Sequence, residues 1–128
     1  MVAQITYGIR VSVATRLLEE QSNPDLNYFH FGYRIKIENN SDFTVQLMRR
    51  HWIVFDSHAQ KREIEGEGVV GLQPVINPGQ FYEYESGCIL GSEIGSMHGT
   101  YLMRREVDGE TFEIFIPRFE MIVPRRLN

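Results

Sequence analysis

The stretch EIEGEGVVGLQPVINPG, residues 63–79, decides between two fold classes. It holds a literal G-x-G-x-x-G at Gly66, Gly68 and Gly71, the string that seats a pyrophosphate in dinucleotide-binding folds. That mechanism needs a strand before the glycines and a helix opening at the last of them. Residues 63–65 suit a strand. The helix fails, because Pro74 and Pro78 would fall inside it, each removing a backbone donor at a cost of about 3 kcal/mol. No alternation of strands and helices surrounds the tract. The doubly wound reading is excluded, and what survives is a glycine-rich loop between strands.

Two roles for that loop stay open. In one, the glycines only let the backbone take positive φ and cross between sheets. In the other, the N–H groups around Gly66, Gly68 and Gly71 form an anion-binding nest. Arg49, Arg50 or Lys61 would then counter a phosphate charge, and Glu65 or Glu67 would hold a divalent cation as hard oxygen ligands. Glu63, Glu65 and Glu67 weigh against the second role, since three carboxylates repel a bare phosphate.

Outward from the loop, the pattern is strand after strand. Residues 5–13 alternate apolar and polar, as do residues 29–38, so each reads as a half-buried strand. Residues 17–24 read as a loop, and residues 39–42 (NNSD) as a turn. A third strand runs from Thr44 to Asp56. Val45 and Leu47 share one face while Trp52 and Val54 take the opposite parity, which a bulge near Arg49 and Arg50 reconciles. Residues 56–61 suit a hairpin loop leading into a strand at 62–65. Residues 81–85 form a further strand, followed by a loop through Gly87, Gly91 and Gly95 and a strand over 98–105. Val107, Asp108, Gly109 and Glu110 carry the strongest hairpin signal. The last strands are 112–116, broken at Pro117, and 119–123. Seven to eight strands with regular turns and no helix predict an all-β antiparallel sandwich of the immunoglobulin or fibronectin type III style. Trp52 on the third strand and the turn at Asn77, Pro78 and Gly79 fit that style.

At 128 residues the chain makes one domain, 1–128, that buries roughly two-thirds of its unfolded surface. The net charge of −4 argues against general nucleic-acid or anionic-membrane binding. The basic doublets at 49–50, 61–62, 104–105 and 125–126 are candidate small anion sites. One cysteine, Cys88, allows no internal disulfide and fits a reducing compartment; it reads as a small buried thiol. His30, His51, His58, His98 and Cys88 form no metal spacing of the C-x-x-C or H-x-x-x-H kind, so a structural zinc site is not expected. Asp56, Ser57 and His58 lie side by side, which is no triad geometry. Glu83 and Glu85 read as solvated edge charges, and the aromatics of residues 28–33 as a core face. The polar segment 92–99 is a candidate binding loop at the end of a strand, placed to meet the glycine tract.

Several blocks in order give a sharper identification: VQLMRRHWI (45–53), EGEGVVGLQP (65–74), NPG (77–79), YESG (84–87), MHGTY (97–101) and FIPRF (115–119). Together they resemble the ApaG family over about residues 5–124. The resemblance implies a fibronectin type III-like sandwich in the bacterial cytoplasm, without established catalytic activity or cofactor. Similar domains are appended to certain eukaryotic F-box proteins and to a DNA-polymerase-delta-interacting protein, where a protein-interaction role is inferred. The family is also linked to diadenosine tetraphosphate hydrolase and to cobalt and magnesium handling, and its glycine motif has been proposed to bind pyrophosphate.

Three expectations follow. The first is a non-catalytic module for an unidentified protein partner, predicting an exposed apolar patch or a free sheet edge that also permits self-association. The second is a nucleotide or pyrophosphate module using residues 66–71. The third, a hydrolase, needs a cluster of carboxylates, metal and water that the sequence does not show.

Overall fold

The computed structural model describes residues 1–57 and 61–124. Its strands are β1 (Val2–Thr6), β2 (Ile9–Leu17), β3 (Phe29–Asn39), β4 (Val45–Asp56), β5 (Arg62–Glu67), β6 (Val75–Ile76), β7 (Phe81–Leu90), β8 (Ile94–Arg105) and β9 (Thr111–Ile122). Residues 18–28 hold two single 3-10 turns, Glu19–Gln21 and Pro24–Leu26, and a bridge between Asn23 and Tyr28. Two antiparallel sheets result, one ordered β1-β2-β3-β7 and the other β5-β4-β8-β9, with the short β6 beside β4. The expected all-β sandwich forms, with nine strands among the described residues rather than seven or eight.

Alternation drives the packing. Every second residue of β3, from Phe29 to Ile37, is buried, and these side chains meet the inner face of the second sheet. Trp52 sits at the centre, with ring centroids 5.6 Å from Tyr33, 5.9 Å from Phe119 and 6.4 Å from Tyr101. Such tilted and edge-to-face pairs add about 0.5–1.5 kcal/mol each beyond area burial. Between the sheets Tyr84 and Tyr101 share a short hydroxyl–hydroxyl hydrogen bond. Asn39, fully buried at the end of β3, donates to the carbonyls of Phe43 (2.7 Å) and Ile76 (2.9 Å) and accepts from the Ser41 amide (3.0 Å). That one side chain ties the predicted 39–42 turn to β6.

The bulge expected in β4 is present, as a register shift between Leu47 and Arg49 against β8. Three expectations need correction. Residues 5–13 are two strands, not one: Tyr7 (φ 50°) and Gly8 (φ 78°) make a two-residue hairpin turn in which Thr6 pairs with Ile9. Both central residues of a type I′ turn take positive φ. Ile5 therefore shares a face with Arg10 and is exposed, while Ile9 is buried. Next, Gly87 and Gly95 lie inside β7 and β8, not in a loop. A Cβ at Gly87 would stand 2.7 Å from the His30 ring and one at Gly95 2.5 Å from the Phe55 carbonyl, so these glycines mark close packing. The segment 92–99 is correspondingly mostly the start of β8, running beside β4. Finally, Pro117 does not end a strand. It sits in a register shift of β9 against β8, on a sheet edge where a missing N–H costs no ladder bond.

The hairpin predicted at residues 107–110 joins β8 to β9, with Gly109 at φ 71°. The loop that would contain His58 lies outside the described residues, as does the basic doublet at 125–126.

Candidate functional site

The glycine tract is built as an extension of the β4–β5 pair. Gly66 is the cross-strand partner of Arg50 and Glu67 that of Arg49. Beyond β5 the chain doubles back in a tight turn, Val69 and Leu72 exchanging N–H···O bonds of 2.8 and 2.9 Å across Val70 (φ 48°) and Gly71 (φ 76°). The Gly68 amide donates to the Met48 carbonyl at 2.9 Å. A Cβ at Gly68 would stand 2.0 Å from the Leu72 carbonyl oxygen. The amides of Gly68, Val69 and Leu72 are thus spent on backbone carbonyls, unlike the open donors of an anion nest.

Arg49 and Arg50 are consecutive in a strand and face opposite sides of the sheet. Arg50 turns under the loop, where its Nη1 donates to the carbonyls of Glu67 (2.9 Å) and Gly68 (3.0 Å). Gln73 reinforces the same corner, its Nε2 donating to the Met48 carbonyl at 3.0 Å. Arg49 is exposed on the outer face. Arg50 therefore packs against Gly66 and Gly68, while Arg49 lies on the opposite face of the sheet.

Arg49, His51 and Ile53 alternate down the outer face of β4, paired across β5 with Glu67, Glu65 and Glu63. His51 Nε2 lies 3.3 Å from Glu63 Oε2 and 3.5 Å from Glu65 Oε1. The donor atoms of these three residues fall within 4.8 Å of one another. Of the two carboxylates singled out from sequence, Glu65 enters this cluster and Glu67 stands one pair further along. His51 and Glu63 carry no spacing signal in the chain. They meet because E-x-E on a strand shares one face and the hairpin register sets His51 opposite Glu65.

The rest of that face mixes apolar and polar residues, with Arg118 and Glu120 paired at 3.4 Å on β9. Ile53 pairs across the sheet with His98, and Thr100 with Phe115. The Phe55 ring stacks on His98 at 6.4 Å between centroids with 16° between planes. Phe55 is 46% and Phe115 52% exposed, and Ile94 and Ile122 are paired, exposed neighbours on the same side. Glu113 and Glu120 border it on β9. The outer face of the other sheet carries ion pairs of its own: Arg34 and Glu85 at 2.6 Å, and Lys36 and Glu38 at 3.5 Å.

Other candidates resolve into structural roles. Arg62 Nη2 donates to the Ile89 carbonyl at 2.7 Å, joining β5 to β7, and Arg105 pairs with Asp108 and Glu110. Cys88 is buried as expected, and burial pushes its thiol above its ordinary range despite nearby Arg62. Asp56 is buried, accepting from the Gly91 amide (2.6 Å) and the Ser92 hydroxyl, so it anchors the β7–β8 turn. No helix among the described residues is long and apolar enough to cross a membrane.

Comparison with known proteins covers both sheets and the glycine tract. A family model for the ApaG domain matches residues 19–105. The ApaG protein of Sinorhizobium fredii is 47% identical over 131 aligned positions, spanning 100% of each chain. That of Brucella abortus is 47% identical over 126, spanning 98% of this chain and 96% of the relative. A crystal structure of a Bordetella pertussis protein described as ApaA superposes with a TM-score of 0.88 at 41% identity, over 94% of this chain and 97% of that one. With a family model matching residues 19–105 and relatives 47% identical along its length, the chain belongs to the ApaG family.

Proposed function

We propose that this chain is a non-catalytic, cytoplasmic protein-binding module that docks its partner on the outer face of the five-stranded sheet. The observation that carries the reading is the pair of exposed rings Phe55 and Phe115 on one sheet face, set either side of His98 and Thr100 with the half-buried Ile53 beside them. Large apolar side chains exposed on one sheet face mark candidate interaction sites. These rings lie between Glu63, Glu65 and the Arg49–Glu67 pair on one side and Glu113 and the Arg118–Glu120 ion pair on the other, a net acidic border. Charge complementarity selects a partner segment that carries apolar anchors flanked by lysine or arginine. The single buried thiol supports a reducing compartment.

The test is quantitative co-purification from the host cytoplasm with wild type, a Phe55→Glu/Phe115→Glu variant and an Ala14→Glu control on the opposite sheet. The reading expects a discrete partner retained by wild type and control and lost from the double variant. Equal retention by all three contradicts it.

A further inference from the structure

We infer that His51, Glu63 and Glu65 form a surface site for one divalent transition ion of the zinc type. The proposal stands apart from the partner-binding reading, because it rests on donor geometry alone. His51 lies on β4, the neighbour of both β5 and β8, and Glu63 and Glu65 project from the same face of the paired β5. Backbone pairing over residues 49–54 and 62–67 holds all three in register, so the ligand set is preorganised by the sheet.

The distances are informative. A charge-assisted N–H···O bond settles at about 2.7–2.9 Å. Here Nε2 stands 3.3 Å from Glu63 Oε2 and 3.5 Å from Glu65 Oε1. Two donors each about 2.0–2.1 Å from a tetrahedral ion lie about 3.3–3.4 Å from one another. The two imidazole–carboxylate separations therefore match edges of a zinc tetrahedron and are wide for optimal hydrogen bonds, and the three ligand atoms lie within 4.8 Å of one another.

The donor set also selects the ion. One neutral imidazole and two carboxylates balance a divalent charge, and a nitrogen ligand favours zinc, nickel or copper over magnesium, which requires near-octahedral oxygen coordination. Three protein ligands leave a coordination position for water or for a side chain of another molecule. Lys61 Nζ contacts the other carboxylate oxygen of Glu63, Oε1, at 3.7 Å, which leaves Oε2 to the ion. Glu67, opposite Arg49, is outside the cluster.

Zinc titrated against a chromophoric chelator, with the histidine ring nitrogens followed by NMR, tests the site. Wild type is expected to take one zinc per chain and shift His51 Nε2. His51→Gln and Glu65→Gln should each weaken binding by about tenfold or more, while Glu67→Gln and His30→Gln stay close to wild type. All four side chains lie at least partly at the surface, so zinc-free melting temperatures should agree. Unchanged affinity in His51→Gln, a silent His51 ring in zinc-saturated wild type, or no binding at submillimolar zinc would each overturn the proposal.

Discussion

The Arg50 guanidinium occupies the space that a side chain at Gly66 would need, with Nη1 2.8 Å from where the Cβ would stand. From there it donates to the carbonyls of Glu67 and Gly68. One arginine thus explains why the first glycine of the tract is a glycine. The obstacle is the tip of a flexible side chain, so Gly66→Ala displaces Arg50 more than it distorts backbone. Gly66→Ala and Arg50→Met should each cost about 1–3 kcal/mol in urea denaturation, and the double variant little more than either alone.

The other two glycines are expected to respond unequally. Gly68→Ala meets both a positive φ and a carbonyl oxygen 2.0 Å away, so it should cost about 2–4 kcal/mol. Gly71 has open space and only its φ to defend, so Gly71→Ala should cost about 1–2 kcal/mol. Val70, an exposed β-branched residue at φ 48°, should gain stability by about 1 kcal/mol on change to Asn. Denaturation midpoints decide the order.

Pyrophosphate should leave the amides of Gly68, Val69 and Leu72 where they are in an NMR titration, because each already donates to a carbonyl. Saturable shifts at these positions in the millimolar range would instead support the nest.

Much of this architecture was legible in the chain. The parity change between Leu47 and Trp52 announced the β4 bulge, and Pro74 and Pro78 excluded the helix that a nucleotide fingerprint needs. The first hairpin was hidden because Tyr7 and Gly8 continue the alternation in sequence while the turn reverses which face Ile5 shares. Gly87 and Gly95 read as loop residues because the packing that demands them, against His30 and the Phe55 carbonyl, comes from other strands. For the same reason His51 was invisible beside Glu63 and Glu65: strand register, not spacing, brings them together.

Asp108 offers a pH test. The Arg105 guanidinium, followed by the Glu110 amide, holds its carboxyl down at about 2, below the ordinary 3.8. Because the folded value is the lower one, the stabilisation is present above about pH 4 and is lost as pH falls through 2. The stability gap between wild type and Asp108→Asn should therefore be flat at neutral pH and close between pH 4 and pH 2. A gap independent of pH over that window would remove Arg105 as the cause.

Burial raises the Tyr84 and Tyr101 phenols far above their usual range, with the mutual hydrogen bond acting on both. Removing one hydroxyl orphans the other, so Tyr84→Phe and Tyr101→Phe should each cost about 1–3 kcal/mol and the double change no more than one of them. Since the folded phenols stay protonated, their contribution holds below pH 10 and declines as pH rises past it. Thermal melts from pH 8 to 11 read this directly.

The central claim concerns which face of the sandwich meets a partner, and site-specific photo-crosslinking in the host cell tests it most directly. A photoreactive residue is placed at Phe115, at Phe55, or at Ala14 on the opposite sheet. The account predicts one shared adduct from positions 115 and 55, weakened by Glu63, Glu65 and Glu67→Lys, and none from position 14. An adduct from position 14 alone, or no adduct from either phenylalanine position, would contradict it.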